Sequence, residues 1–394
     1  MKNSKLISTN YILGLLFCSL FALLMIFFSQ DALEASKFGI ALWFNAVLPA
    51  LFPFFVCSKL MIKMGIHKIV GRLLEPIMRP LFKVPGEASF VFTISVTSGY
   101  PLGTQIIADL REKKSITKIE AERMLSFCST SGPLFMLGTV GVGMFGSSLL
   151  GWSIALSHFF GALLNGLLFR FYGKSIKRQK IKRTSLRDVL YDAEKGFNNQ
   201  VSFMTHFGES IMESFKTLLV ICGYIILFSI IITLFDKFMF FNMMALSLFK
   251  AFDYNVVVAS LKGFFEITLG CNALSSISYL NFTISCILCS AIISWSGLSI
   301  HAQSLTFIAR TDIKKSIYFF SKVTHSICSS ICALFIAPLL IKYQPQALTA
   351  FSISDKIQNS NFVYKLLFST QLMLIVFIIF IITAVISHVF NSRS

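Results

Sequence analysis

The chain has 394 residues, of which 55% are hydrophobic and 13% charged, and phenylalanine alone supplies 43 of them. A soluble domain of this length could not bury so much apolar surface, so the composition indicates a polytopic α-helical membrane protein and excludes a soluble globular fold. The net charge of +17 would suit a nucleic-acid partner in a soluble protein. Basic cytoplasmic loops of a membrane protein explain that charge better, and we expect no nucleic-acid binding.

Several apolar runs approach the length of about 20 residues that spans a bilayer. They are Tyr11–Ser29, Phe38–Ile62, Ala88–Leu110, Met124–Gly146, Trp152–Tyr172, Ile211–Phe235, Val256–Ser278, Phe282–Ile308, Ile317–Ile341 and Leu366–Val389. Two shorter runs, Ile69–Phe82 and Met239–Phe252, are predicted to be interfacial or connecting helices. The first long run follows Lys2 and Lys5 like a signal peptide, but its length and the lack of a clear small-residue cleavage site favour a retained helix.

Four of these runs are interrupted by residues that do not continue a regular helix. The predicted breaks are Ser98–Gly103, Ser131–Pro133, Thr268–Asn272 and Ser294–Gly297. In lipid, irregular backbone survives only where protein buries it or where it lines a wet cavity. Paired interruptions are typical of transporters whose substrate site is built from discontinuous helices.

Loop charges predict how the runs are oriented. The basic segment Gly173–Gln200 should be cytoplasmic by the positive-inside rule. Both ends of Ala88–Leu110 are flanked by Lys and Arg, so this run is predicted to enter from the cytoplasm and return, turning at Ser98–Gly103. Few basic residues flank Val256–Ser278, so this run is predicted to be a hairpin that enters from outside. Both chain termini are then predicted to be cytoplasmic.

The two halves therefore repeat one pattern of spanning helix, re-entrant hairpin, broken helix and spanning helix, with opposite orientation. The fold class we predict is all-α: a polytopic membrane protein with an inverted repeat of two gate domains, whose site lies near the midplane at the repeat interface. The predicted divisions are an N-terminal transmembrane helix, a first repeat, a basic cytoplasmic linker, a second repeat and a C-terminal transmembrane helix. Their residues are 1–30, 31–172, 173–205, 206–345 and 346–394.

Specific stretches of the chain resemble the YlbJ (SpoVV) family of sporulation integral membrane proteins. These stretches are Thr97–Gly103, Asp109–Glu112, Glu120–Arg123, Cys128, Ser131–Phe135, Phe265–Gly270 and Ser296–Gln303. The resemblance implies paired nucleoside-recognition, or gate, domains similar to the core of concentrative nucleoside transporters. It also implies a place in the outer forespore membrane of an endospore former, and a link to cortex formation and to passing dipicolinic acid to the forespore. The chain departs from the family pattern at Ser294–Gly297, where Trp and Ser replace an expected Phe-Gly-Gly.

The first two breaks supply candidate ligands. Tyr100 could stack on a planar ring while Gln105 hydrogen-bonds it; the alternative is that Tyr100 packs in the turn and Gln105 satisfies freed backbone groups. The stretch Ser131–Pro133 could start a half-helix whose free N–H groups and positive dipole end suit an anion. The alternative there is a simple proline kink.

The later breaks supply ionisable candidates. Glu266 is an acid inside an apolar run, which makes it a functional candidate by default; it could couple a proton or cation, bind a hydroxyl group, or form a neutral pair with Lys262. His301 could carry a proton or meet a carboxylate, or could only pack. His158 and His325 are interpreted as mostly structural. The predicted substrate-binding residues are Ser98, Gly99, Tyr100, Pro101, Gly103, Gln105, Ser131, Gly132, Pro133, Glu266, Thr268, Gly270, Asn272, Ser296, Gly297, His301 and Gln303.

The sequence favours a transporter or facilitator for a small anionic aromatic solute, and the resemblance makes that solute dipicolinate. The alternatives are a nucleoside or nucleobase transporter with cation coupling, and a non-transporting sporulation scaffold. No catalytic motif, metal-ligand spacing or cofactor fingerprint is present, so we expect neither an enzyme nor a cofactor. Coupling to H⁺ or Na⁺ stays open, as does assembly as a homo-oligomer or with other sporulation membrane proteins; the lipid bilayer is the remaining partner.

Overall fold

The computed structural model describes residues 9–173, 191, 202–248 and 252–342. Within these residues every regular element is a helix, as the all-α prediction requires. The predicted linker 173–205 lies largely outside the described residues, and the predicted C-terminal helix, including Leu366–Val389, lies wholly outside them. The predicted domain boundaries therefore stay predictions.

The first half of the described chain contains eight α-helices and two π-helical segments. The α-helices are α1 (Thr9–Phe27), α2 (Ser29–Leu42), α3 (Leu48–Lys63), α4 (Ile66–Phe82), α5 (Glu87–Ser98), α6 (Leu102–Glu112), α7 (Lys118–Phe127) and α8 (Ser148–Phe169). The π-helical segments are Trp43–Val47, which joins α2 to α3, and Leu134–Met144, which follows α7. We call α5 with α6 the first hairpin, and α7 with Leu134–Met144 the first broken helix.

The second half has the same succession of elements. Its helices are α9 (Phe203–Lys237), α10 (Phe240–Leu248), α11 (Tyr254–Phe265), α12 (Ile267–Ser275), α13 (Phe282–Trp295), α14 (Gly297–Ile308) and α15 (Lys315–Lys342). We call α11 with α12 the second hairpin, and α13 with α14 the second broken helix. In each half a long helical stretch (α2 through α3, and α9) is followed by a connecting helix, a hairpin, a broken helix and a spanning helix. The order of the last three elements is that of the predicted repeat, with a connecting helix inserted before the hairpin.

The long helices of the two halves run antiparallel. Near the start of α2, Asp31 pairs with Lys237 at the end of α9, with 3.2 Å between Oδ1 and Nζ. At the end of α3, Lys63 pairs with Glu209 near the start of α9, with Nζ and Oε2 2.7 Å apart. We call the end with Lys63 the first face and the end with Lys237 the second face.

The two hairpins open toward opposite faces. At the first face, Asp109 near the end of α6 lies 4.0 Å from Lys59 Nζ on α3, and Arg111 donates from Nε to Oδ1 of Asp312 over 2.8 Å. On the side of the second face, Lys262 of α11 pairs with Asp236 at the end of α9, and the Tyr279 hydroxyl donates to Asp253 Oδ1 over 2.8 Å at the open end of the second hairpin. Opposite opening is the geometry of an inverted repeat.

Four elements are long and apolar enough to span a membrane within the described residues: α8, α9, α15, and α13 with α14 taken together. At the N-terminus, α1 coincides with most of the predicted run Tyr11–Ser29, and the next helix starts at Ser29 at an angle of about 101°. The helix α2 adds the polar Asp31–Lys37 region before the predicted run Phe38–Ile62. The bent α1–α2 pair counts as a fifth candidate span when it is taken as one.

The turn of the second hairpin also differs from the prediction. Glu266 alone separates α11 from α12, and Thr268–Asn272 lies inside α12. The physical reason is that the Glu266 side chain caps α12 by accepting a hydrogen bond from the Leu269 N–H over 2.8 Å, so the helix restarts at once. Gly270 serves packing rather than the turn, because a Cβ there would lie 2.2 Å from the Cα of Gly263.

Candidate functional site

The turn of the first hairpin lies against the gap in the first broken helix. Gly99 has φ of +83°, a conformation that glycine adopts without steric cost. A Cβ at Gly99 would lie 2.6 Å from the backbone N of Gly132, so only glycine permits this approach. The run Ala88–Leu110 is thus not one straight helix, and the predicted break at Ser98–Gly103 is confirmed, with Gly103 already inside α6.

The gap between α7 and Pro133 is irregular, buried backbone that packs against polar side chains of the first hairpin. The hydroxyl of Thr104 donates to Ser129 Oγ over 3.1 Å, and the N–H of Thr130 donates to Ser95 Oγ over 3.0 Å. Gly103 leaves room for this contact, because a Cβ there would lie 1.9 Å from the Cys128 carbonyl oxygen. Broken backbone at this depth needs such partners in place of water.

A lysine from the last described helix reaches this gap. Lys322, on α15, is 1% exposed, and its Nζ donates to the Ser129 carbonyl oxygen over 2.6 Å. The same Nζ lies 4.4 Å from the centroid of the Tyr100 ring, a cation–π distance. Across the described residues, no carboxylate lies within ion-pair distance of Lys322.

A buried histidine connects the two halves at the same level. The Ser131 N–H donates to His158 Nε2 over 2.9 Å, which assigns the ring proton to Nδ1. His158 Nδ1 lies 2.8 Å from Ser294 Oγ on α13, and Ser294 in turn donates to Ser329 Oγ over 2.8 Å. This series of hydrogen bonds connects the first gap to the second broken helix and to α15.

The turns of both hairpins contact the second broken helix. From the first hairpin, the Tyr100 hydroxyl donates to the Ile293 carbonyl oxygen over 3.2 Å. From the second, the backbone of Phe265 and Glu266 packs on Gly297, where a Cβ would lie 3.0 Å from the Phe265 carbonyl oxygen. Ser296 separates α13 from α14 with φ of +81°. The predicted breaks therefore lie close together. The two hairpin turns are linked by the second broken helix, α13 with α14, which both of them contact.

Glu266 has a different partner from the one considered in the sequence. Its two carboxylate oxygens accept from the Leu269 N–H and, over 3.0 Å, from the Thr268 hydroxyl, so its observed contacts belong to its own helix cap. Lys262 instead pairs with Asp236, with 2.9 Å between Nζ and Oδ1. The alternative of a Lys262–Glu266 pair is wrong.

The remaining predicted residues fall into buried and exposed groups. Gln105 is buried and donates from Nε2 to Thr217 Oγ1 over 3.1 Å, while its Oε1 and the Ser98 hydroxyl find no hydrogen-bond partner in the described part of the chain. His301 packs between the rings of Trp295 and Phe319, and Gln303 donates to Ser299 on its own helix. Asn272 is exposed. Pro101 is buried in the first turn.

Lys322 and Ser129 were not selected from the sequence. A signal for Lys322 was present, because it is a lone lysine inside the apolar run Ile317–Ile341, and an ionisable residue at membrane depth is a functional candidate by default. His158, interpreted as structural, joins the two halves at the gap.

Discontinuous helices, oppositely opening hairpins and a buried polar centre define the class: an integral, multi-pass membrane protein with a gate domain. The family model described as Nucleoside recognition (Gate) matches residues 44–148, which end at the start of α8. The Sporulation integral membrane protein YlbJ of Bacillus subtilis (strain 168) is 36% identical over 319 residues, covering 77% of this chain and 76% of the relative. The chain belongs to the YlbJ family of sporulation integral membrane proteins. No solved structure matches it.

Proposed function

We propose that this sporulation membrane protein is a secondary transporter or facilitator for a small anionic aromatic solute, dipicolinate, in the outer forespore membrane. The observation that supports it most is the buried amino group of Lys322, which meets the gap in the first broken helix with no carboxylate partner among the described residues. The first face, which carries Lys63 and Arg111, is assigned to the cytoplasm of the mother cell by the positive-inside rule.

Holding the Lys322 amino group in its charged form at membrane depth, without a counter-charge, is costly. A carboxylate that enters beside Lys322 offsets this cost and forms a charge-assisted hydrogen bond. The Leu134–Met144 segment begins at the same gap, and the start of a helix adds N–H groups and a positive dipole end. These groups favour an anion over a neutral or cationic solute.

The aromatic preference comes from Tyr100. Its ring lies over Lys322 Nζ on one side of the first turn, and its hydroxyl is held by Ile293. A planar solute with carboxylates on its ring can place a carboxylate at Lys322 and stack its ring near Tyr100. The unbonded Gln105 Oε1 and Ser98 hydroxyl offer polar partners nearby in the first hairpin.

The test is uptake of labelled dipicolinate into proteoliposomes that contain the purified protein. We expect uptake above that of empty liposomes, competition by unlabelled dipicolinate, and loss of uptake in Lys322→Met. Imposed pH and sodium gradients report the coupling ion. Uptake that is absent under every gradient, with protein shown to be folded, contradicts the transport proposal and favours a scaffold that recruits other sporulation proteins.

A nucleoside or nucleobase transporter is the second candidate, because the family model that matches residues 44–148 is described by nucleoside recognition. The same proteoliposomes separate the two candidates. Uptake of labelled uridine or adenosine that dipicolinate does not inhibit would favour the nucleoside candidate. Neither candidate assigns an enzymatic activity or an organic cofactor to the chain.

A further inference from the structure

The carbonyl that binds Lys322 belongs to the C-terminal end of a half-helix. Ser129 follows α7, whose last helical residue is Phe127. The end of a helix carries partial negative charge on its free carbonyl oxygens. In transporters with discontinuous helices, unwound carbonyls and half-helix C-terminal ends are the groups that coordinate the coupling cation. The end of α7 is therefore the place in the first half where a bound cation is expected.

In this chain the amino group of Lys322 takes that position. Its Nζ donates to the Ser129 carbonyl oxygen over 2.6 Å, and the ring centroids of Tyr100 and Tyr318 lie 4.4 and 5.9 Å away. The Ser129 hydroxyl is already engaged by Thr104. A sodium ion at the end of α7 would need the oxygen that Lys322 occupies.

We propose that Lys322 is a tethered cation that replaces a coupling sodium ion at the end of α7, so that the protein binds and moves its solute without Na⁺. The inference deepens the proposed function and rests on it: the positive charge that attracts the carboxylate is covalently part of the chain. Since the tether brings α15 of the second half to the gap of the first, the charge cannot leave with the solute.

The first test uses the unchanged protein and no solute. Its melting temperature in detergent is measured across a NaCl titration, with choline chloride keeping the ionic strength constant. We expect the two salts to give the same melting temperature at every concentration. A saturable stabilisation specific to Na⁺ overturns the inference, because ligands that bind the native state raise its melting temperature.

The second test removes the tether. In Lys322→Ala the carbonyl end of α7 is left free, and we expect a sodium-specific rise of about 2 °C at saturating Na⁺. Lys216→Ala, which changes an exposed lysine on α9, is the matched control and should show no such rise. If Lys322→Ala does not fold, Lys322→Gln replaces it. A folded variant that gains no sodium response overturns the inference.

The outcomes separate this inference from the proposed function. Dipicolinate uptake driven by a sodium gradient in the unchanged protein overturns the tethered cation and leaves the transport proposal intact. No dipicolinate uptake under any gradient overturns the transport proposal, while the melting-temperature measurements, which contain no solute, still decide whether Lys322 occupies a cation site.

Discussion

The two broken helices of this protein have the same place in their halves but different gaps. The gap of the first spans Cys128 to Gly132, and side chains from α5, α6, α8 and α15 satisfy it. The gap of the second is the single residue Ser296, whose N–H remains bonded to the Ile292 carbonyl over 3.1 Å. A gap that exposes several backbone groups needs polar partners, whereas a one-residue gap needs almost none. The polar contacts are therefore concentrated at the gap of the first broken helix, although the second half contributes Lys322 to them.

The two hairpins differ in the same way as the two gaps: the turn of the first makes more buried polar contacts than the turn of the second. The turn of the first hairpin lies among buried residues, and its polar groups face the first gap. The turn of the second is a half-buried Glu266 that caps its own helix, and its two arms are held by the close contact of Gly263 with Gly270. The family model also covers only the first half, at residues 44–148. An inverted repeat can therefore keep its architecture while the polar centre forms at the gap of one copy, with side chains from both.

The largest loss of stability is expected where the first hairpin contacts the gap of the first broken helix. Gly103→Ala places a Cβ 1.9 Å from the Cys128 carbonyl oxygen, so backbone must move, and we expect the free energy of unfolding to fall by about 3 kcal/mol. Thermal unfolding in detergent measures it. Gly223→Ala is the control, because a Cβ there meets nothing within 4 Å; equal losses in the two variants would contradict the close packing of the first gap.

His158 and His301 are buried histidines, one from each half. His158→Leu leaves the Ser131 N–H and Ser294 without their shared partner, and we expect a loss of about 2 kcal/mol because unsatisfied buried groups are costly. His301→Leu keeps most of the packing against Trp295 and Phe319 and should cost less. Chemical denaturation of both variants measures the difference. An equal or reversed order would place the polar centre in the second half.

The observed contacts of Glu266 are those of a helix cap. Glu266→Gln weakens the cap of α12, and we expect a loss of about 1 kcal/mol with dipicolinate uptake unchanged. Asp253→Asn is a matched control, because Asp253 caps α11 at the open end of the same hairpin. Abolished uptake in a stable Glu266→Gln protein, with normal uptake in Asp253→Asn, would bring the second hairpin into the binding site.

The smallest effect is expected at the first face. Arg111 binds both oxygens of Asp312 over 2.8 and 2.9 Å, and we expect Arg111→Ala to cost about 0.5 kcal/mol, less in high salt. The Arg111 hydrogen bond lowers the pKa of Asp312, so the contribution is present above about pH 4, the ordinary range of this group, and is lost as the pH falls further. A double-mutant cycle at two pH values measures it; a pair that strengthens in acid would contradict the assignment.

The membrane class, the positions of three breaks and the opposed hairpins could be predicted from the sequence, because their causes are local. Gly99 and Gly297 permit the positive φ that a break needs, Pro133 fixes φ and lacks an N–H, and loop charges act on each hairpin separately. The second hairpin turn was misplaced because two local effects compete: Gly270 looks like a turn residue, yet Glu266 can cap a helix and Gly270 is needed for packing.

The centre of the site could not be predicted in the same way. Lys322 contacts Ser129, and His158 contacts Ser294, over separations of 193 and 136 residues. No local pattern specifies such pairs, since they depend on how α8, α13 and α15 pack. What the sequence does show is that Lys322 is a charged residue in an apolar run, which identifies a candidate without naming its partner.

The bond between Lys322 and Ser129 has a consequence for how the protein is made. During synthesis the first broken helix is inserted into the membrane before the ribosome has reached residue 322. Until α15 arrives, the Ser129 carbonyl has no amino group beside it, and a free carbonyl in hydrocarbon is costly. The first half therefore lacks one buried hydrogen bond until α15 packs against it. We expect a chain truncated before α15 to be a substrate for membrane quality control.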